Sequence, residues 1–195
     1  MTAPDRPPVL VRSEGGFDLS LSPDERALLS SLPGQLSRAL EAVGETDAQL
    51  PEGLRRLFPA AYPTDAAAEA NYVSLVRGDL VEHHRNALET LAHTALATHL
   101  SDDETSAWLA ALNDLRIVLG ASLGVTEETV EPARQDPQYA EWICYNYLTY
   151  LESSVVDALA DILPPSAEDD ASLDDPWGEP PGGLRWDGTP VPPDI

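Results

Sequence analysis

Apolar positions along this chain follow two spacings, and the switch between them divides it into elements. Near the start they alternate. Val9 and Val11 stand before Glu14-Gly15-Gly16, and Phe17, Leu19 and Leu21 follow it. A period of two sends successive side chains to opposite faces of a strand, and the glycine pair supplies a turn. Residues 8–21 therefore predict a small β-hairpin buried on one face. Two strands are marginal alone, so the hairpin is expected to lean on helices.

After Leu21 the spacing becomes helical. Ser22-Pro23-Asp24-Glu25 offers a capping hydroxyl, a first-turn proline and an acid three residues on. Ala27, Leu28, Leu32, Leu36, Ala39, Leu40 and Val43 then repeat at helical intervals. Pro33-Gly34 is expected to kink or split that run near Ser31, and Gly44 to end it. Residues 45–64 read as a loop with one short helical turn, Leu54 to Phe58, closed by Pro59 and Pro63. Thr64 or Asp65 caps a long helix from Ala66 to about Leu100, with Tyr72, Val73, Val76, Leu80, Ala87, Leu91 and Ala95 on one side. Ser101-Asp102-Asp103-Glu104 is a capping box that opens a helix carrying Trp108, Leu112, Leu115 and Leu119 on one stripe, with Gly124 as its stop. Asp136-Pro137 starts a last helix to Ile162, with Trp142, Ile143, Tyr147, Leu148, Leu151, Val155, Leu159 and Ile162 inward.

These elements predict a mainly α protein: a helical bundle of about four principal helices with a small N-terminal β-hairpin. Residues 1–8 read as a flexible N-terminus and residues 9–163 as a single helical domain. The last 32 residues hold 8 of the 18 prolines and eight acids against one Arg. A segment of that composition buries too little apolar area to offset its ordering entropy, so residues 164–195 are expected to form an acidic, disordered tail.

Charge narrows the function classes. There are 34 acids against 11 basic residues, all of them Arg, for a formal charge of −23. Nucleic-acid affinity comes mostly from neutralising phosphates, and Arg55-Arg56 is the one adjacent cationic pair, so direct nucleic-acid binding is not expected. Anionic membrane surfaces are disfavoured for the same reason, and no segment approaches the roughly 20 apolar residues of a span. A basic protein partner is favoured. The single cysteine, Cys144, cannot pair within the chain, and the expected compartment is the cytoplasm.

Candidate chemistry is sparse. His83, His84, His93 and His99 fall in or beside one predicted helix; Asp79 with His83, or Glu89 with His93, would share a face as metal ligands, but no His-x-x-x-His or Cys-x-x-Cys spacing accompanies them. Neither a metal nor another cofactor is expected. Cys144, between Trp142-Ile143 and Tyr145, reads as a small core residue rather than a nucleophile. The segment from Leu112 to Gly120 is the most individual. Asn113, Arg116 and Gly120 share a flank beside the leucine stripe, with Asp114 between them in sequence. Three readings stay open: a solvated edge, a partly buried Arg–carboxylate pair across a close helix contact at Gly120, or a binding site. Trp177 and Trp186 in the acidic tail could fold back, anchor a partner, or do neither.

Several of these segments together resemble an actinobacterial family catalogued as domain of unknown function 2017. The resemblance covers residues 9–163. It is carried by Phe17-Asp18-Leu19-Ser20-Leu21, Arg56-Leu57-Phe58-Pro59 with Tyr62-Pro63, Trp108 to Gly120 containing Leu112-Asn113-Asp114-Leu115-Arg116, and Tyr145-Asn146-Tyr147-Leu148-Thr149-Tyr150-Leu151. It supplies no catalytic or binding residues. Members often lie beside the gene for the ClpS adaptor of Clp proteolysis, and some are labelled transcriptional regulators; the resemblance thus implies regulated proteolysis or regulation. The expected function is a non-enzymatic protein–protein interaction or regulatory protein. Its alternatives are a small-molecule-binding protein or enzyme with a pocket between helices, built on residues such as His83, His93, Asp114 or Arg116, and an indirect transcriptional regulator.

Overall fold

The structure, a computed structural model, describes residues 8–41, 43 and 50–161. Strands β1 (Leu10–Ser13) and β2 (Gly16–Leu19) form the expected antiparallel hairpin, with Leu10 opposite Leu19 and Arg12 opposite Phe17. Gly15 sits at φ +75°, a left-handed conformation that suits glycine at the turn. A third strand, β3 (His99–Ser101), lies on the other side of β2 and sets Leu100 opposite Phe17. Gly16 makes that approach possible, because a Cβ there would fall 1.9 Å from the Leu100 carbonyl oxygen.

The third strand corrects the expected helix to Leu100. Helix α4 (Ala66–Thr94) stops earlier, and two interactions end it. Arg26 donates from its guanidinium to the carbonyls of Ala95 (3.0 Å) and Ala97 (2.6 Å), satisfying groups that a helix end leaves open. Leu19 N–H then donates to Thr98 O at 2.8 Å, drawing the chain into the sheet and burying Leu100 completely.

Helices α1 (Pro23–Ser31) and α2 (Pro33–Glu41) are separated at Leu32, since Pro33 has no N–H to continue the ladder. The split turns each short helix independently. Leu29 therefore points into the core in α1, while Ala27, expected inward, is exposed; Leu36 and Leu40 are buried in α2. Gly44 lies outside the described residues. Helix α3 (Glu52–Leu57) buries Leu54 and Leu57, with Phe58 following. Asp65 caps α4 by accepting from the N–H groups of Ala67 and Ala68, both at 3.0 Å.

Helix α5 (Asp102–Ser122) is central and packs against α3, α4 and α6. Its capping box is complete: Glu104 N–H donates to the Ser101 hydroxyl, and Ser101 N–H to the Glu104 carboxylate at 2.8 Å. Trp108 is fully buried, and its indole N–H donates to Thr94 Oγ1 at 2.7 Å, tying α5 to the end of α4. Helix α6 (Tyr139–Ala160) buries Leu148, Leu151 and Val155 against α5. Ile143, expected inward, is 46% exposed; Ile162 lies outside the described residues. The fold is mainly α, with a small three-stranded sheet near the N-terminus. Among the described residues no helix is long and apolar enough to cross a membrane.

Candidate functional site

Two flanks of α5 carry polar pairs, and they face different neighbours. Residues 114 and 116 are about 200° apart around a helix. Asp114 looks toward α4, where its Oδ2 lies 2.6 Å from Nδ1 of His84. Both side chains are nearly buried, 5% and 12% exposed. A carboxylate in an apolar interior needs a compensating donor, and Nδ1–H supplies it. That bond fixes the tautomer and leaves Nε2 as the free ring nitrogen; Nε2 is buried with no hydrogen-bond partner.

A crevice of about 280 Å³ opens beside this pair, between α4 and the chain around α3. Phe58, Tyr72, Val76, Arg77, Leu80 and His84 line it. The imidazole of His84 meets the Phe58 ring edge to face at 5.4 Å, and the Arg77 guanidinium sits 5.2 Å from the centre of the same ring. The crevice thus combines aromatic and aliphatic walls with His84, the Arg77 guanidinium and the Glu69 carboxylate.

Toward α6, Arg116 Nε lies 2.6 Å from Glu152 Oε2, with the side chains 34% and 16% exposed. One turn on, Gly120 is buried beneath Tyr145; a Cβ there would come within 2.9 Å of the ring. Asn113 is half-buried on the same helix. Of the residues singled out from sequence, Arg116 and Gly120 therefore meet α6, while Asp114 belongs to the α4 side. A second, mostly apolar cavity of about 450 Å³ lies among α2, α3, α5 and α6, lined by Leu36, Leu54, Leu115, Val118 and Leu148 among others. Trp177 and Trp186 lie outside the described residues.

His83 and His93 do not join Asp114. His83 is exposed one step around α4 from His84, and His93 is an exposed neighbour of Glu89 at 3.9 Å. Among the described residues no group of three or more His, Cys, Asp or Glu side chains could hold a metal. Cys144 is half-buried, and burial, with Glu141 adding repulsion, pushes its thiol up and keeps it protonated.

Glu152 was not named by sequence reasoning, and His84 was named only as one of four histidines without its partner, yet a signal existed. His84 falls on the α4 stripe between Leu80 and Ala87, and Glu152 on the α6 stripe between Leu148 and Val155. A titratable residue at an apolar-stripe position requires a buried partner.

Comparison with known proteins accords with the segment resemblance. The chain is similar to the oxidative stress regulator AosR of Mycobacterium tuberculosis (strain ATCC 25618 / H37Rv) and of Mycobacterium bovis (strain ATCC BAA-935 / AF2122/97). Each is 27% identical over 176 residues, covering 72% of this chain and 80% of the relative. A similarly named protein of Mycobacterium leprae (strain TN) is 32% identical over 119 residues, 58% of this chain and 54% of its own length. The chain therefore spans about half of that relative. No solved structure matches the chain significantly. A family model described as a domain of unknown function, DUF2017, matches residues 5–159, most of the chain and every helix described above; the chain belongs to that family.

Proposed function

We propose that this protein is a cytoplasmic regulator, without enzymatic activity of its own, that acts through a protein partner in the response to oxidants. The observation that carries this reading is similarity over 80% of the length of proteins named oxidative stress regulators. Charge supports a protein partner over DNA: at −23 the chain repels phosphate backbones and attracts basic surfaces. The chain's one cysteine has no second thiol to pair with and is held in its protonated form, which favours regulation through contacts over thiol chemistry within the chain. The relatives' names point to oxidants rather than to regulated proteolysis, and the proposal follows them. One folded body followed by the acidic 164–195 segment suits this role, with Trp177 and Trp186 as anchors for the partner.

The test is complementation. In a mycobacterium deleted for its AosR, expression of this chain is expected to restore the transcript response to hydrogen peroxide, and Trp177→Ala with Trp186→Ala to restore it less well. No restoration by the intact chain, at normal expression level, would sink the reading.

A further inference from the structure

We infer that the cavity among α2, α3, α5 and α6 is a binding site for a small aliphatic ammonium ion, its chain held by leucine and valine walls and its head by Glu141. This stands apart from the regulatory reading, and either can fail without the other.

The walls of this cavity are aliphatic. Leu36 comes from α2, Leu54 from α3, Leu115 and Val118 from α5 and Leu148 from α6, and no aromatic side chain lines it among the described residues. Interiors pack closely and keep few voids larger than a water molecule, whereas this one measures about 450 Å³. That volume lies within the range of ligand sites and takes about fifteen non-hydrogen atoms at roughly 30 Å³ each. Water there would meet mostly hydrocarbon, so an apolar occupant is favoured. Aliphatic walls offer no ring face for stacking, and they suit a flexible chain over a flat aromatic body.

Charge selects the head group. Glu52 and Glu141 are the charged side chains that line the cavity, and no Arg or His does so among the described residues. Arg56 offsets Glu52 from 3.4 Å, and Arg38 on α2 turns back to donate to the Gly34 carbonyl at 3.0 Å. Glu141 stands exposed in the first turn of α6, paired with none of the arginines or histidines among the described residues. The last turn of α5 brings Ala121 and Ser122 to the same cavity and carries no basic residue, so the partial negative charge of a helix C-terminus is left there as well. The start of α3 opposes it, but Glu52 occupies that first turn. A cation is thus the ion that this rim attracts, and an anion the one it repels. Because solvent screens an exposed carboxylate, the attraction changes affinity by a few-fold, and burial of the chain supplies the rest.

Octylammonium is a suitable probe, with octanol as its uncharged counterpart and octanoate as its anionic one. The full chain, labelled at leucine methyl groups, is titrated with each at low salt. Calorimetry reads the affinity and methyl NMR the location, the signals of Leu119, which lines the cavity, being identified by their loss in Leu119→Met. Octylammonium is expected to saturate at one per chain and to shift the Leu119 methyls, with octanol about fivefold weaker and octanoate weaker still. Glu141→Gln is expected to cost octylammonium about threefold and to leave octanol unchanged. Glu14→Gln removes the same charge at the exposed hairpin turn and is expected to change neither. Ala121→Trp fills the cavity from α5 and is expected to abolish binding of both. The inference is overturned by an absence of saturable binding, which is the outcome if the cavity holds only water. It is equally overturned by equal affinity for octanol, by unshifted Leu119 methyls, by equal losses in Glu141→Gln and Glu14→Gln, or by wild-type affinity in a folded Ala121→Trp. Should Ala121→Trp fail to fold, the exposed change Glu141→Gln and the Leu119 shifts decide.

Discussion

Asp114 is a carboxylate in a hydrocarbon interior, and a single imidazole compensates it. Such a pair adds little net stability over a well-packed apolar pair, because desolvation offsets the attraction, but breaking it strands a charge. His84→Ala alone is therefore expected to cost about 3–5 kcal/mol. The double replacement His84→Phe with Asp114→Leu is expected to recover most of that loss, since both polar groups leave together. Urea unfolding of the wild type, both single variants and the double variant measures the coupling directly. Additive losses would show that the two side chains do not depend on each other. The exposure of Arg116 places its pair with Glu152 lower on the same scale, as solvent screens the guanidinium.

At the scale of elements, the boundaries that local chemistry sets are also those that pH can probe. Hydrogen bonds from the Ser101 backbone N–H, then from its hydroxyl, hold the Glu104 carboxyl below the usual carboxylate range. A carboxyl lowered on folding contributes stability above its unfolded value, and that contribution is lost as pH falls through the folded one. Ser101→Ala is thus expected to cost about 1 kcal/mol at neutral pH and somewhat less in acid, where the bond from the hydroxyl to the ionised Glu104 is lost while the bond from Glu104 N–H to the hydroxyl oxygen remains. Thermal melts at pH 7 and pH 3 give the difference; a penalty independent of pH would mean that the box does not depend on ionised Glu104. The same locality made these boundaries legible in sequence. Ser22 with Glu25, Ser101 with Glu104 and the break at Pro33 each depend on residues within one turn. Strand β3 was not legible, because three residues, His99 to Ser101, become a strand only through pairing with β2 more than eighty positions away. Arg26, which ends α4 from a distance of about seventy positions, was hidden for the same reason. Of the site, Asp114 and Arg116 stood out as charges beside a leucine stripe, but their partners His84 and Glu152 depend on which helices α5 packs against.

Across the whole molecule one quantity dominates, a formal charge of −23 on 21.0 kDa. Arg12 with Asp102, Arg56 with Glu52 and Arg116 with Glu152 neutralise some acids locally, but 34 acids against 11 arginines leave most of them uncompensated. Self-repulsion among them opposes the compact state, since unfolding moves like charges apart. Salt shortens the reach of that repulsion, from about 30 Å at 0.01 M to about 8 Å at 0.15 M. Raising sodium chloride across this range is expected to raise the melting temperature by a few degrees. The same screening is expected to weaken association with a polycation such as poly-arginine, whose attraction is the mirror image of that repulsion. Calorimetry at the two salt concentrations and fluorescence anisotropy with labelled poly-arginine and labelled duplex DNA separate the effects. The duplex should remain unbound throughout, because no excess of cations is available to release its counterions. A melting temperature that falls with added salt would show that local ion pairs outweigh the global excess of acids. Duplex binding at 0.15 M would show a basic surface strong enough to overcome it.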